Sequence, residues 1–317
     1  MNKIKLNKNN SLSLKKGFEK FIRQCEIKDL SQYTIEYYKN SYKYLKKYMK
    51  LQDIEPSDFM VDAIDKEFLN NFLYWLKSNY NMNNITINTR LRGIRAIFYY
   101  LMKNGYINEF KIELLKTEKK IKETYSENEI KRLLERPDIN NCNFAHYRNW
   151  VIVNFLLGTA VRSRTLTNLK IKDINLEEAQ VHLKVIKSKR HQLLPLSRSL
   201  VKILIEYLEY RDGDKEDYLF CTNYGKRLKS SSLNSAIRRY NHSRNVQKTS
   251  IHMFRHTFAK LWILNGGDAF RLQKILGHSD MTMVRNYVNM YNKDLEKDFN
   301  KLNPLEGFNT DGEYINI

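Results

Sequence analysis

Between residues 12 and 107, apolar side chains return every three or four positions, with almost no proline or glycine to interrupt them. In YTIEYYKNSYKYLKKYM the series is Ile35, Tyr38, Tyr42, Leu45 and Met49; in TINTRLRGIRAIFYYLMKNGY it is Ile87, Leu91, Ile94, Ile97 and Leu101. That period places each set on one face of a helix, and such faces must be buried against one another. With only 4 Pro and 11 Gly in 317 residues, the expectation is a helical bundle. Its last helix exposes Arg90, Arg92 and Arg95, a basic face that is either simply solvated or in contact with phosphates.

The pattern changes at about residue 108. NEFKIELLKTEKKIKETY, over 108–125, is polar and lysine-rich and reads as a linker. SENE follows, a capping box in which Ser126 and Glu129 satisfy each other's backbone donors. A second domain, 126–300, opens with helices, including the strongly apolar WVIVNFLLGTA. QVHLKVIKSKRHQLLPL then gives two β-rich runs around a basic turn before helices return. The fold class expected is mainly α with a small β-sheet, that is, a helical N-terminal domain followed by an α+β domain. Residues 301–317 read as a tail. Trp75, Trp150 and Trp262 lie in apolar helical contexts and are expected in the core.

The 42% hydrophobic content excludes wholesale disorder, and 55 Lys and Arg against 35 Asp and Glu leave a net charge of +20. A polyanionic partner suits that charge, although a codon-driven lysine excess would raise it too. Three distant cysteines form neither a metal pair nor a disulfide framework, which suits a reducing cytoplasm. No apolar run is long enough to span a membrane, and the N-terminus lacks a targeting pattern, so a soluble cytoplasmic protein is expected. Neither a GxxxxGK loop nor GxGxxG occurs. Any chemistry is therefore expected to run without ATP, and no cofactor is expected.

IHMFRHTFAK places His252 and His256 four positions apart with Arg255 between them. The spacing suits zinc, but Met253 stands where a metalloprotease of the HExxH kind needs its glutamate, and Arg255 repels a cation. No metal is expected. A guanidinium flanked by imidazoles suits an anion such as phosphate, while a plain helix surface remains the alternative for two histidines alone. The order of residues around them is more specific. Arg162 follows the apolar helix, Lys187 sits in the turn of the β-rich pair eight residues before Pro195, and His278 lies nine residues before Tyr287.

Arg162, Lys187, His252-x-x-Arg255, His278 and Tyr287, in this order and spacing, resemble the catalytic set of the tyrosine recombinases, the phage-integrase class of site-specific DNA recombinases. The resemblance covers nearly the whole chain. It implies that 12–107 is a DNA-clamping core-binding domain and that 126–300 is the catalytic domain. Tyr287 would be the nucleophile, with Tyr291 one turn away as a rival. Arg162 and Arg255 would stabilise the phosphoryl charge, and His252 would help to deprotonate the tyrosine. Lys187 would protonate the leaving 5′ oxygen, and His278 would hydrogen-bond the scissile phosphate. Lys189 and Arg190, in the same turn, would touch backbone phosphates, and His256 would be a supporting or core residue. The implied partners are double-stranded DNA at specific sites and three further copies of the chain in a tetramer, with no membrane.

One position departs from the pattern: Thr165 stands three residues after Arg162, where the family usually has an acidic side chain. An inactive DNA-binding relative is therefore an alternative to recombination of a mobile element. Chromosome-dimer resolution of the Xer kind and type IB topoisomerase activity are others.

Overall fold

The structure is a computed structural model that describes residues 12–118, 122–185, 190–277, 281, 284, 285 and 287. The chain divides into two compact units, residues 1–119 and 120–317.

The first unit holds α1 (Leu14–Ile27), α2 (Gln32–Lys50), α3 (Lys66–Tyr80) and α4 (Asn84–Lys103). Each helix starts where a short polar side chain accepts a backbone hydrogen bond: Ser13 from Lys16, Ser31 from Thr34, Asp65 from Phe68 and Asn83 from Thr86. The faces anticipated from periodicity are inside, with Ile35, Tyr42, Leu45 and Met49 on α2 and Ile87, Leu91, Ile94, Ile97 and Leu101 on α4 all buried. Gly93 allows α4 to pack tightly on α2, because a β-carbon there would collide with Ser41 Oγ. The basic face is narrower than the sequence suggested. Arg92 is exposed, but Arg90 and Arg95 are half-buried, and the Arg90 guanidinium lies 4.7 Å above the Tyr44 ring of α2. Period alone could not locate that aromatic partner on another helix.

The second unit runs α5 (Glu127–Leu134), α6 (Phe144–Thr159), α7 (Ser163–Leu166), β1 (Ile174–Asn175), β2 (Gln180–Val185), β3 (Arg190–Pro195), α8 (Arg198–Arg211), α9 (Ser230–Ser243), α10 (Ile251–Leu264) and α11 (Ala269–Leu276). The capping box of α5 is formed as expected, with Glu129 accepting from Ser126 N–H and Ser126 Oγ accepting from Glu129 N–H. The sheet is antiparallel in the order β1-β2-β3, with Val181 opposite Leu194 and Val185 opposite Arg190.

α6 is the centre of this unit. Trp150, Val151, Ile152, Val153, Phe155 and Leu156 are buried around its circumference as it packs on α5, α8, α9 and α10. Each large apolar side chain so buried contributes about 1.5–3 kcal/mol. Among the described residues no helix is long and apolar enough to cross a membrane. Of the tryptophans, Trp75 and Trp150 are in the cores, but Trp262 is half-buried. Its indole N–H donates to Asp268 O, 3.0 Å away, in the turn after α10, while the side chain packs against the buried cluster of Ala160, Ala259, Leu272, Leu276, Val284 and Tyr287.

Candidate active site

α6 ends because Ala160 adopts the left-handed conformation, φ 53°, which turns the chain out of the core. Val161 is still buried, but Arg162 emerges exposed at the start of α7. α10 packs on α6, and the buried side of α10 includes Arg255, only 8% exposed. Its guanidinium spans two elements. Nη1 donates to Ala160 O at the end of α6, 2.7 Å away, and Nη2 donates to Leu276 O at the end of α11. Arg162 Nη2 donates to the next carbonyl, Gly277 O, at 3.3 Å.

The two arginines therefore converge on consecutive carbonyls immediately before His278. Burial, and secondarily the positive charge of Arg162, push the Arg255 pKa down to about 10, while Tyr287 opposes the shift. Arg255 stays charged at neutral pH. Gly277 is required at this junction: its φ is +57°, and a β-carbon would press on Gln192 Oε1 at 3.1 Å. Gln192, which the sequence did not single out, reaches from β3 to α11 and donates to Lys274 O at 2.5 Å and to Ile275 O at 3.2 Å. The β2–β3 pair that flanks Lys187 is thereby tied to the helix that leads to His278.

Tyr287 is 3% exposed and packs with Ala160, Ala259, Leu272, Leu276 and Val284. Its hydroxyl lies 2.5 Å from His256 Nδ1. The resemblance makes His256 a supporting or core residue and gives His252 the part of helping to deprotonate the tyrosine. The geometry gives that contact to His256, while His252, one turn earlier, is exposed. Both histidines point from the same general side of α10, so helical spacing could not choose between them. Burial, then Lys122, His252 and Arg255, push the His256 pKa down to about 4, and the imidazole is neutral at neutral pH.

Thr165 is half-buried on α7, and the described contact of the Arg162 side chain is the Gly277 carbonyl rather than a carboxylate. Among the described residues no group of three or more His, Cys, Asp and Glu side chains is placed to hold a metal. Lys187, Lys189, His278, Tyr291 and the tail lie outside the described residues. Arg190 is the first residue of β3, and its side chain is likewise not described.

Comparison with known proteins matches residues 13–122 to the phage integrase SAM-like domain and residues 123–294, more than half of the chain, to the phage integrase family. The chain belongs to that family and is a tyrosine recombinase. The tyrosine recombinase XerD of Staphylococcus aureus is 26% identical over 296 residues, spanning 90% of this chain and 98% of XerD. Among solved structures, the Tn1549 transposon integrase in complex with transposon right end DNA has a TM-score of 0.68 at 18% identity, covering 87% of this chain and 94% of that one. A lambda integrase tetramer bound to a Holliday junction has a TM-score of 0.68 at 16% identity, covering 87% and 80%. Both likenesses establish the fold.

Proposed function

We propose that this tyrosine recombinase cleaves and rejoins double-stranded DNA at specific sites through a covalent 3′-phosphotyrosine at Tyr287, in the integration or excision of a mobile element. The observation that carries the reading is the meeting of Arg162 and Arg255 at the end of α11, beside the cluster of Ala160 and Leu276 in which Tyr287 is packed. A phosphodiester repels nucleophiles, so attack by an oxygen requires cations on the non-bridging oxygens as charge builds in the five-coordinate transition state.

Arg162 and Arg255 supply those cations, and their guanidinium positions favour the tyrosinate over the phenol. Lys187 gives its proton to the departing 5′ oxygen. His278 hydrogen-bonds the scissile phosphate, and the proton that Tyr287 gives up as it attacks passes to the exposed His252 on α10 and on to solvent. Lys189, Arg190, Arg92 and the exposed parts of Arg90 and Arg95 contact backbone phosphates. The phosphotyrosyl link preserves the energy of the broken ester until a 5′-hydroxyl attacks it, so the exchange needs no nucleotide cofactor. Residues 12–107 act as the DNA-clamping domain, 108–125 as linker, and 126–300 as the catalytic domain. Exchange between two duplexes takes four nucleophiles, and hence a homotetramer on DNA.

The test is a suicide duplex nicked beside the cleavage site. Wild-type protein forms a covalent adduct on it and Tyr287→Phe forms none while still binding the duplex. An adduct that persists in Tyr287→Phe removes the nucleophile assignment. Thr165 favours a second reading, a DNA-binding relative without cleavage, and an absence of adduct with the wild-type protein would select it. The likeness to XerD favours a third, dimer resolution; joining of two unlike DNA molecules, rather than only of repeated sites on one molecule, supports the mobile-element reading.

A further inference from the structure

His256 is placed to do more than fill space. Its Nδ1 stands 2.5 Å from the Tyr287 hydroxyl, with ring centroids 5.9 Å apart. The helix that carries it does not swing freely, because the neighbouring Arg255 is fastened to the ends of both α6 and α11. The tyrosine ring in turn is embedded among Ala160, Ala259, Leu272, Leu276 and Val284. Both partners of the hydrogen bond are therefore held by the same packed junction.

The direction of the bond follows from its surroundings. The groups facing the imidazole are Lys122 ahead of α5, His252 and Arg255 on α10, and Tyr287 itself. These positive or potentially positive neighbours, with burial, keep the ring neutral. A neutral imidazole offers one lone pair and one N–H. The phenol is a much stronger acid than an imidazole N–H, so the favoured arrangement has Tyr287 O–H donating to Nδ1 and the imidazole proton on Nε2. The same cationic surroundings make the ring a poor acceptor of a full proton. Its contribution is orientation of the attacking oxygen, not removal of the proton.

Resting on the reading of Tyr287 as nucleophile, we propose that His256 is the positioning residue of that nucleophile: Nδ1 accepts the tyrosine hydroxyl and fixes the direction of its lone pairs before DNA arrives. Reactions between bound groups lose about 100-fold when one partner is misplaced by about 1 Å. His256 sets the rate of strand cleavage, then, without contributing to DNA affinity.

Single-turnover adduct formation on the nicked suicide duplex, measured over a range of protein concentrations, tests this. His256→Ala should lower the maximal rate about 100-fold and leave the half-saturating concentration unchanged. His256→Asn, which restores an acceptor oxygen near the Nδ1 position but cannot take up a proton at neutral pH, should recover most of that loss. Thermal unfolding of both variants checks that they are folded. Wild-type rates in His256→Ala overturn the proposal, as does His256→Asn being as slow as His256→Ala, which would assign proton removal instead. Loss of DNA affinity in step with rate, in both variants, overturns it in favour of a structural role. Tyr287→Phe run alongside separates the two levels: an adduct there removes the nucleophile reading, whereas a dead Tyr287→Phe with a fully active His256→Ala removes only the role of His256.

Discussion

Arg255 carries both the proposed chemistry and part of the fold, and the two can be measured apart. The residue is 8% exposed, and its guanidinium holds Ala160 O and Leu276 O, on residues that are themselves 0% and 1% exposed. A hydrogen bond from a charged donor is worth about 1.5–3 kcal/mol, and each buried carbonyl left without a partner costs about 1–3 kcal/mol. Removing the cation also removes its desolvation penalty of several kcal/mol, so the net loss falls well below the sum of those terms. For Arg255→Ala we expect about 2–5 kcal/mol of destabilisation, because two buried carbonyls lose their donor at about 1–3 kcal/mol each. Arg255→Lys keeps the charge, but a single ammonium cannot span both helix ends; about 1–3 kcal/mol is expected. Urea melts in a Trp75→Phe background, where Trp150 and Trp262 report only the second unit, give these values directly. If Arg255→Ala costs less than about 1 kcal/mol, or if Arg255→Lys costs as much as Arg255→Ala, the clasp between α6 and α11 is not what holds this junction.

Two further outcomes can be checked, one from the proposed chemistry of Lys187 and one from the burial of His256. Lys187→Ala should regain cleavage on a substrate whose leaving 5′ oxygen is replaced by sulfur, which departs without a proton, and Arg162→Ala should not; equal rescue of both, in an adduct assay, would remove the general-acid role. His256, whose pKa falls from the ordinary 6.5 to about 4 on folding, binds its proton more readily in the unfolded chain. Its contribution to stability is therefore full above about pH 6.5 and lost as pH falls toward 4, a span of ~3 kcal/mol that solvent screening of a half-buried ring reduces to about 1–2 kcal/mol. Urea midpoints at pH 7 and pH 4.5 should differ less in His256→Asn than in the wild type, and identical differences would contradict this account.

What could be read in advance was whatever the chain specifies locally. The apolar period gave the buried faces of α2 and α4, Ser126 and Glu129 gave the start of α5, and alternation gave β2 and β3. A resemblance in the order of residues pointed to the family. Tertiary placement could not be read. Four-residue spacing makes His252 and His256 neighbours on α10, and which of them meets Tyr287 depends on how the chain returns after α11. Arg90 reads as part of an exposed basic face, and only the fold brings Tyr44, on another helix, beneath it. Gln192 resembles any strand glutamine, and only the approach of α11 gives its amide two carbonyls to hold.

The supports of the arginines bear on the departure at Thr165. Among the described residues, the carbonyls that both guanidiniums hold lie at helix C-terminal ends: Ala160 after α6, and Leu276 and Gly277 at the end of α11. A helix C-terminus carries about half a negative charge, spread over its last carbonyls. A carboxylate at position 165 would orient Arg162 more firmly but would place a full negative charge beside the proposed phosphodiester site. Helix ends give direction with less neutralisation. Arg162 and Arg255 repel each other in the free protein, a repulsion that adds to burial, the larger cause, in lowering the pKa of Arg255. An anion held between them removes that repulsion, and the gain is larger in the transition state, where the phosphoryl oxygens carry more charge than in the substrate. By this reasoning the cost of Thr165 falls on the precision with which Arg162 is held, not on the charge that the pair presents to DNA.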